Sequence, residues 1–289
     1  LYFLGLALLV GLFFFGSEIR GVYRWYKIGP FSLDPKIITT ILLIILLAKY
    51  FSMRHVEMYK FQHIFLSGIY VLLPSTLIFF QPELGWILIL IATWIGILII
   101  SGIKIRHFLI LLVCGILILA LGWQFFLRDY QKQRIASFIL PQDPLGFSWS
   151  QNQSKIAIGS GLLLGKGLGR GSQTQYGFLP EPQTDFIFAV LAEETGLLGV
   201  IILLSLFLIL IWRIVKITIL AQTNFSRLFA AGFSIFLFSQ VFINIGMNIG
   251  LLPIIGIPLP FVSYGGSSLI ALFFGLGILQ SIKCRSTFA

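Results

Sequence analysis

Residues 146–196 read GFSWSQNQSKIAIGSGLLLGKGLGRGSQTQYGFLPEPQTDFIFAVLAEETG and hold the most chemically capable combination in the chain. Lys155, Lys166 and Arg170 stand among glycines, and Asp185 closes the stretch where it gives way to an apolar run. An ionisable group at the mouth of a membrane helix is costly to keep and is a functional candidate by default. Thr184 or Asp185 before an apolar run is also good helix-capping chemistry, and the two roles are compatible. Glu193 and Glu194 follow about two helical turns deeper. One of them is expected to face the bundle interior, and a polar interhelical contact is the plainest account of both.

Two other stretches carry groups suited to an anion. GSEIRGVYRWYKIGPF sets Arg20, Arg24 and Trp25 between Gly21 and Gly29. Taken singly these are ordinary membrane-belt residues, but paired arginines beside glycines also make a phosphate-facing loop. PLPFVSYGGSS, residues 258–268, places Ser263, Tyr264, Ser267 and Ser268 around a Gly-Gly pair. Close helix packing explains the glycines, but not a tyrosine and three hydroxyls at one depth. IGSGLLLGKG looks like a phosphate cradle, yet nucleotide binding needs Ser or Thr after the lysine, and Gly167 follows Lys166. The sequence holds no serine–histidine–acid set, and Cys114 and Cys284 suggest neither a disulfide nor a metal site.

A membrane bundle must position these groups. A chain that is 58% hydrophobic and 10% charged, with mean hydropathy +0.99, is no ordinary soluble domain. Continuous apolar runs lie at roughly 1–15, 36–53, 63–80, 84–101, 107–127, 186–212, 226–249 and 261–282. They predict an all-α, polytopic membrane domain of eight transmembrane helices with a large extracytoplasmic loop, 128–185, and not a barrel of short alternating strands. Glu193, Glu194 and Gly196 interrupt the sixth run, which is expected to enter as a short segment and then bend. Short loops carrying Lys49, Arg54 and Lys60, then Lys104 and Arg106, then Arg213, Lys216 and Arg227 are expected on the cytoplasmic side. Loop 16–35, the turn at 81–85, loop 128–185 and residues 250–260 then share the outer face. Further basic residues gather there, among them Arg20, Arg24, Lys36, Arg134, Lys155 and Lys166, as an anionic ligand such as a phosphate would require. The net charge of +10 falls in short clusters between spans, so no nucleic-acid partner is expected. The chain opens at Leu1 in mid-run without a basic leader segment, and reads as a single domain over 1–289 that has lost its beginning.

At these residues the chain resembles the SEDS (shape, elongation, division and sporulation) family, and within it the RodA type more than the FtsW type. The stretches that carry the resemblance are GVYRWYKIG at 21–29, QPELG at 81–85, DYQKQR at 129–134 and QSKIAIGSGLLLGKG at 153–167, with FLPEPQTDFIFAVLAEETGLLG at 178–199 and PLPFVSYGGSS at 258–268. The resemblance covers essentially the whole chain. It implies a ten-helix peptidoglycan glycosyltransferase that polymerises lipid II beside a class B penicillin-binding protein, with two helices preceding Leu1. Three departures stand out. Where the family reads QPSE with a lysine three residues on, this chain has Asp34, Pro35, Lys36, Ile37 and Thr40, as if a charge pair had been replaced together. Gln183 stands in place of a histidine before Thr-Asp-Phe, and Glu83 in place of the aspartate of QPDLG.

Residue chemistry and resemblance meet in one scheme. A lipid-linked disaccharide enters the outer cavity from the bilayer, its pyrophosphate among Arg20, Arg24, Lys155 and Lys166. Trp25, Arg134, Ser263, Tyr264 and Ser267 complete the candidate binding set. Asp185 acts as general base on the acceptor hydroxyl, or instead holds a divalent cation, Mg²⁺ or Mn²⁺, against the pyrophosphate. The rival from another class is a transporter that flips lipid II, using the same helices and basic residues. It would need polar groups along the whole path, whereas here they concentrate at the outer face.

Overall fold

The computed structural model describes residues 1–19, 22–29, 31–53, 61–81, 83–125, 132–133, 136–138 and 147–287. A helix occupies each apolar run: α1 Tyr2–Phe15, α2 Pro35–Met53, α3 Phe61–Phe80, α4 Leu84–Ile100, α5 Ile105–Phe125, α8 Ile187–Leu220, α9 Asn224–Ile249 and α10 Gly266–Thr287. Two more, α6 Phe147–Ser160 and α7 Ser172–Gln175, lie in the polar stretch. Five of these helices (α2, α3, α8, α9 and α10) are long and apolar enough to cross a membrane. The apolar helices Tyr2–Phe15, Leu84–Ile100 and Ile105–Leu117 are shorter.

The chain divides into two compact units, one of Leu1–Ile103, Phe207–Val241 and Pro260–Ala289, the other of Lys104–Leu206 and Phe242–Leu259. The core of the first unit includes Leu9 and Leu12 of α1, Ile37, Ile44 and Phe51 of α2, and Phe229, Phe233 and Phe236 of α9, all fully buried. Phe229 and Phe233 stack at 6.2 Å, and the ring of Trp86 meets Phe236 edge-on. Gly275 faces the Phe233 ring so closely that a Cβ would strike it, which is why α10 can lie against α9 there.

The first polar segment of this unit departs from an all-α expectation. Three short strands, β1 Ser17–Ile19, β2 Val22–Ile28 and β3 Phe31–Leu33, form a small antiparallel meander in the order β1-β2-β3. VYRWYKI is dense in β-branched and aromatic residues, which suit a pleated surface better than a helix. Gly29, at φ 62, makes the turn into β3. Trp25 pairs with Ser17 and Tyr26 with Leu33. The Tyr26 hydroxyl donates to the Leu8 carbonyl of α1 at 2.6 Å, and Gly11 leaves the space it needs.

At the start of α2 the structure shows an ion pair that the sequence did not reveal. Asp34 caps the helix, its Oδ1 accepting the Lys36 amide at 3.0 Å, with Pro35 at the first helical position. Lys36, nearly fully buried, pairs with Glu83 at the start of α4 and stands 3.3 Å from Asp34 Oδ2. Its ammonium also lies 5.9 Å from the centre of the Trp86 ring. Thr40, where the family has its lysine, donates to the Lys36 carbonyl and accepts from Trp86 Nε1 at 3.0 Å. An ion pair nevertheless joins the two helices here, through Lys36, four residues before Thr40. Burial raises the Asp34 carboxyl above its ordinary range, against the pull of Lys36 and with the push of Glu83.

Candidate active site

In the second unit, Asp185 follows a tight turn in which the Thr184 and Phe186 amides both donate to the Glu181 carbonyl. Phe186 and Leu179 bury themselves with Ala157 and Ala189, which fixes the turn and the start of α8 against α6. The main anchor is polar. Asn244 and Asn248, one turn apart on α9 and both fully buried, each donate an amide hydrogen to the Asp185 backbone carbonyl at 3.0 Å. Asn244 also donates to the Ile257 carbonyl at 2.7 Å, tying the segment after α9 to the same point. Gly256, at φ 67, runs so near that a Cβ there would stand 3.3 Å from Asp185 Oδ2. The half-buried carboxylate thus sits on a backbone held from two sides.

The α9 terminus organises the rest. Gly250, at φ 84, ends the helix with the Leu251 amide returning to the Gly246 carbonyl at 2.8 Å, the left-handed glycine stop expected of such an end. Three polar residues of α6 attach here. Gln151 donates to the Leu252 carbonyl at 2.9 Å, and Ser154 to the Asn248 carbonyl at 2.9 Å. The stem of Lys155 covers Gly250, where any Cβ would collide with it. An ammonium beside a helix C-terminus is favourably placed against the helix dipole. Asp185 and Lys155 therefore flank one helix end, which is an arrangement able to take a proton on one side and stabilise an anion on the other.

Lys166 is engaged differently. Its ammonium bonds Glu193 Oε1 at 2.8 Å and Ser172 Oγ at 2.7 Å. Glu193, the acid that faces inward, is fully buried and also accepts from the Gln173 amide at 3.0 Å and Thr174 Oγ1 at 3.2 Å. The glycines of IGSGLLLGKG serve this docking. The polar stretch lies against α8 where that helix breaks, at Gly196 with φ 68 and ψ −166. The Leu197 and Leu198 amides donate to the Leu162 and Leu163 carbonyls, and the Lys166 and Gly167 amides donate to the Glu193 and Glu194 carbonyls. A Cβ at Gly161, Gly165 or Gly196 would run into this backbone clasp. Broken helices in membranes persist where other groups satisfy the freed backbone in this way.

The first unit holds Trp25, Ser263, Tyr264 and Ser267. Trp25 is half-buried in β2, and Tyr264 is largely exposed just before α10. Ser267 Oγ accepts the Asp34 amide at 3.0 Å, joining the hydroxyl cluster to the meander. Arg24 lies in β2, but its side chain, like the whole of Arg20 and Arg134, falls outside the described residues. Among the described residues no three His, Cys, Asp or Glu side chains gather to hold a metal ion, so a cation at Asp185 would need substrate phosphates as further ligands. Sequence reasoning missed Asn244, Asn248, Gln151 and Ser154. The two asparagines, four apart in an otherwise apolar run, were the available signal, because polar groups in a span usually serve another helix or a loop.

Residues 1–287 match the FtsW/RodA/SpoVE family of cell cycle proteins. The chain is 42% identical to the peptidoglycan glycosyltransferase MrdB of Escherichia coli K12, over 98% of its own length and 76% of that protein's. It is 35% identical to the stage V sporulation protein E of Bacillus subtilis, over 99% of this chain and 77% of that one. Among solved structures it resembles a chain of a peptidoglycan synthase complex that coordinates polymerization and crosslinking, with TM-score 0.82 and 29% identity over 99% of this chain and 80% of that one. The crystal structure of the rod shape determining protein RodA of Thermus thermophilus is also similar, with TM-score 0.66 and 30% identity over 96% and 74% of the two chains. Motifs, helices and relatives agree: this chain belongs to the FtsW/RodA/SpoVE family and is a membrane-integral helical protein.

Proposed function

We propose that this chain is a peptidoglycan glycosyltransferase that polymerises lipid II at the outer face of the cytoplasmic membrane during cell elongation. In this reading all eight apolar helices cross the bilayer, and a class B penicillin-binding protein crosslinks the product. The observation that carries it is Asp185, its carbonyl clamped by two buried asparagines, with Lys155 at the same helix end. A catalytic group needs its position held far more tightly than a capping residue does.

Asp185 takes the proton of the acceptor's 4-hydroxyl as that oxygen attacks the anomeric carbon of the donor. The new glycosidic bond forms as the carbon–oxygen bond to the lipid diphosphate breaks, with inversion. Lys155 stabilises the charge that develops on the departing diphosphate. One carboxylate suffices because the leaving group needs no protonation, unlike the alcohol released by a glycosidase. Asp185 would alternatively be the residue that holds a divalent cation, which would supply charge stabilisation to the diphosphate. Lys166, committed to Glu193, supports the loop. The test is the purified protein with lipid II in detergent or vesicles. Glycan strands longer than the disaccharide are expected, and movement of lipid II between leaflets without polymer would favour a transporter.

A further inference from the structure

The clasped segment ends in an apolar tip with no packing role of its own. Leu162, Leu163, Leu164 and Leu168 are 80%, 68%, 78% and 80% exposed. Leu162 adopts φ 48, a left-handed conformation that glycine or asparagine tolerates and a bulky leucine does not. A strained leucine displayed to water gains nothing on folding, so its surroundings must be apolar.

The geometry of α8 says what those surroundings are. The apolar part after the Gly196 break, residues 197–212 ahead of Arg213, makes about 24 Å of helix, most of a hydrocarbon layer of about 30 Å. The break therefore stands near one boundary of the membrane, with Asp185 on its far side. The tip is bonded to the first turn past that break, through the Leu162 and Leu163 carbonyls and the Leu197 and Leu198 amides. On that turn and the next, Leu197, Leu198, Ile201 and Ile202 are themselves exposed. The tip leucines thus continue the lipid-facing stripe of the helix. Exposed Arg170 follows them in the chain, as basic residues commonly follow interfacial apolar anchors.

We propose that Leu162, Leu163, Leu164 and Leu168 insert into the leaflet on the Asp185 side of the bilayer, as a membrane anchor that sets the height of the candidate active site. The occupant is the acyl region of the lipids themselves. This rests only on α8 crossing the membrane, and stands or falls independently of the polymerase reading.

The test uses the whole chain with Cys114 and Cys284 replaced by serine, and an environment-sensitive NBD dye at Leu163→Cys. A control dye goes on Asn152→Cys, an exposed polar position of α6. Both are reconstituted in vesicles of phosphatidylethanolamine and phosphatidylglycerol, with or without nitroxide-bearing lipid chains. The proposal expects blue-shifted emission and strong nitroxide quenching at 163, and water-like, weakly quenched emission at 152. Water-like emission at 163 overturns it. So does emission that shifts only when a protein partner is added, which would make the tip a protein-docking surface. Both side chains are exposed, so labelling should leave the fold intact, and a monodisperse elution profile checks this.

Discussion

The asparagine clamp yields a prediction whose size follows from its bonds. In Asn248→Ala the Asp185 carbonyl keeps the Asn244 amide at 3.0 Å, and Ser154 keeps the residue 248 carbonyl at 2.9 Å. The Asn248 side chain's bonds to the Asp185 and Asn244 carbonyls are lost, so destabilisation of about 1–3 kcal/mol is expected. Asn244→Ala leaves the Ile257 carbonyl buried without that donor, which costs about 1–3 kcal/mol, while Asn248 still serves Asp185. The double variant alone takes both amides from the Asp185 carbonyl. Its loss should therefore exceed the sum of the singles by about 1 kcal/mol or more. The same step frees the Asp185 backbone, and a shift of about 1 Å can slow turnover on the order of 100-fold. Thermal unfolding in detergent and lipid II turnover would be measured on all four proteins. The singles should keep most of their kcat and the double should lose it, with little change in KM. Stability losses that add to within about 0.5 kcal/mol, with kcat unchanged in the double variant, would refute the clamp.

Three further outcomes test the supports. Gly161→Ala and Gly165→Ala force a Cβ into the backbone of residues 192–195, so both should lower thermal stability well beyond the ~1 kcal/mol spread of ordinary glycine substitutions. Lys36→Met should cost about 3–5 kcal/mol by taking a buried ammonium away from Glu83 and Asp34, and Lys36→Met with Glu83→Leu should recover part of that loss in the same unfolding assay. Because burial raises the Asp34 pKa, folding is favoured with Asp34 protonated, and that contribution is full below its unfolded value and lost as pH rises through the raised one. Unfolding measured across that range should therefore show a fall in stability that Asp34→Asn flattens.

The helices were legible because each apolar run is continuous and long, and hydropathy alone separates it from its neighbours. The break in α8 could be read too, since two acids and a glycine interrupt an otherwise apolar run. Contacts made across the fold were hidden. The pairing of Lys36 with Glu83 depends on how α2 and α4 register at their ends, which no local pattern encodes. The glycines of IGSGLLLGKG looked like ligand-binding glycines because space for a ligand and space for a neighbouring backbone demand the same residue. Asn244 and Asn248 went unnoticed within a span, because their partner, a backbone carbonyl, carries no sequence signature. The three-stranded meander was hidden by its aromatic residues, which serve membrane belts and strands equally well.

The claim at the centre is that Asp185 does chemistry. Asn caps a helix nearly as well as Asp, so Asp185→Asn should keep the turn and the fold while removing the proton acceptor. The measurement is lipid II polymerisation by purified Asp185→Asn protein, with thermal stability and vesicle insertion verified on the same sample. A loss of at least ~100-fold in rate, with stability changed by no more than about 1 kcal/mol, is the predicted result. Polymerisation at the wild-type rate would contradict the assignment and remove Asp185 from the reaction.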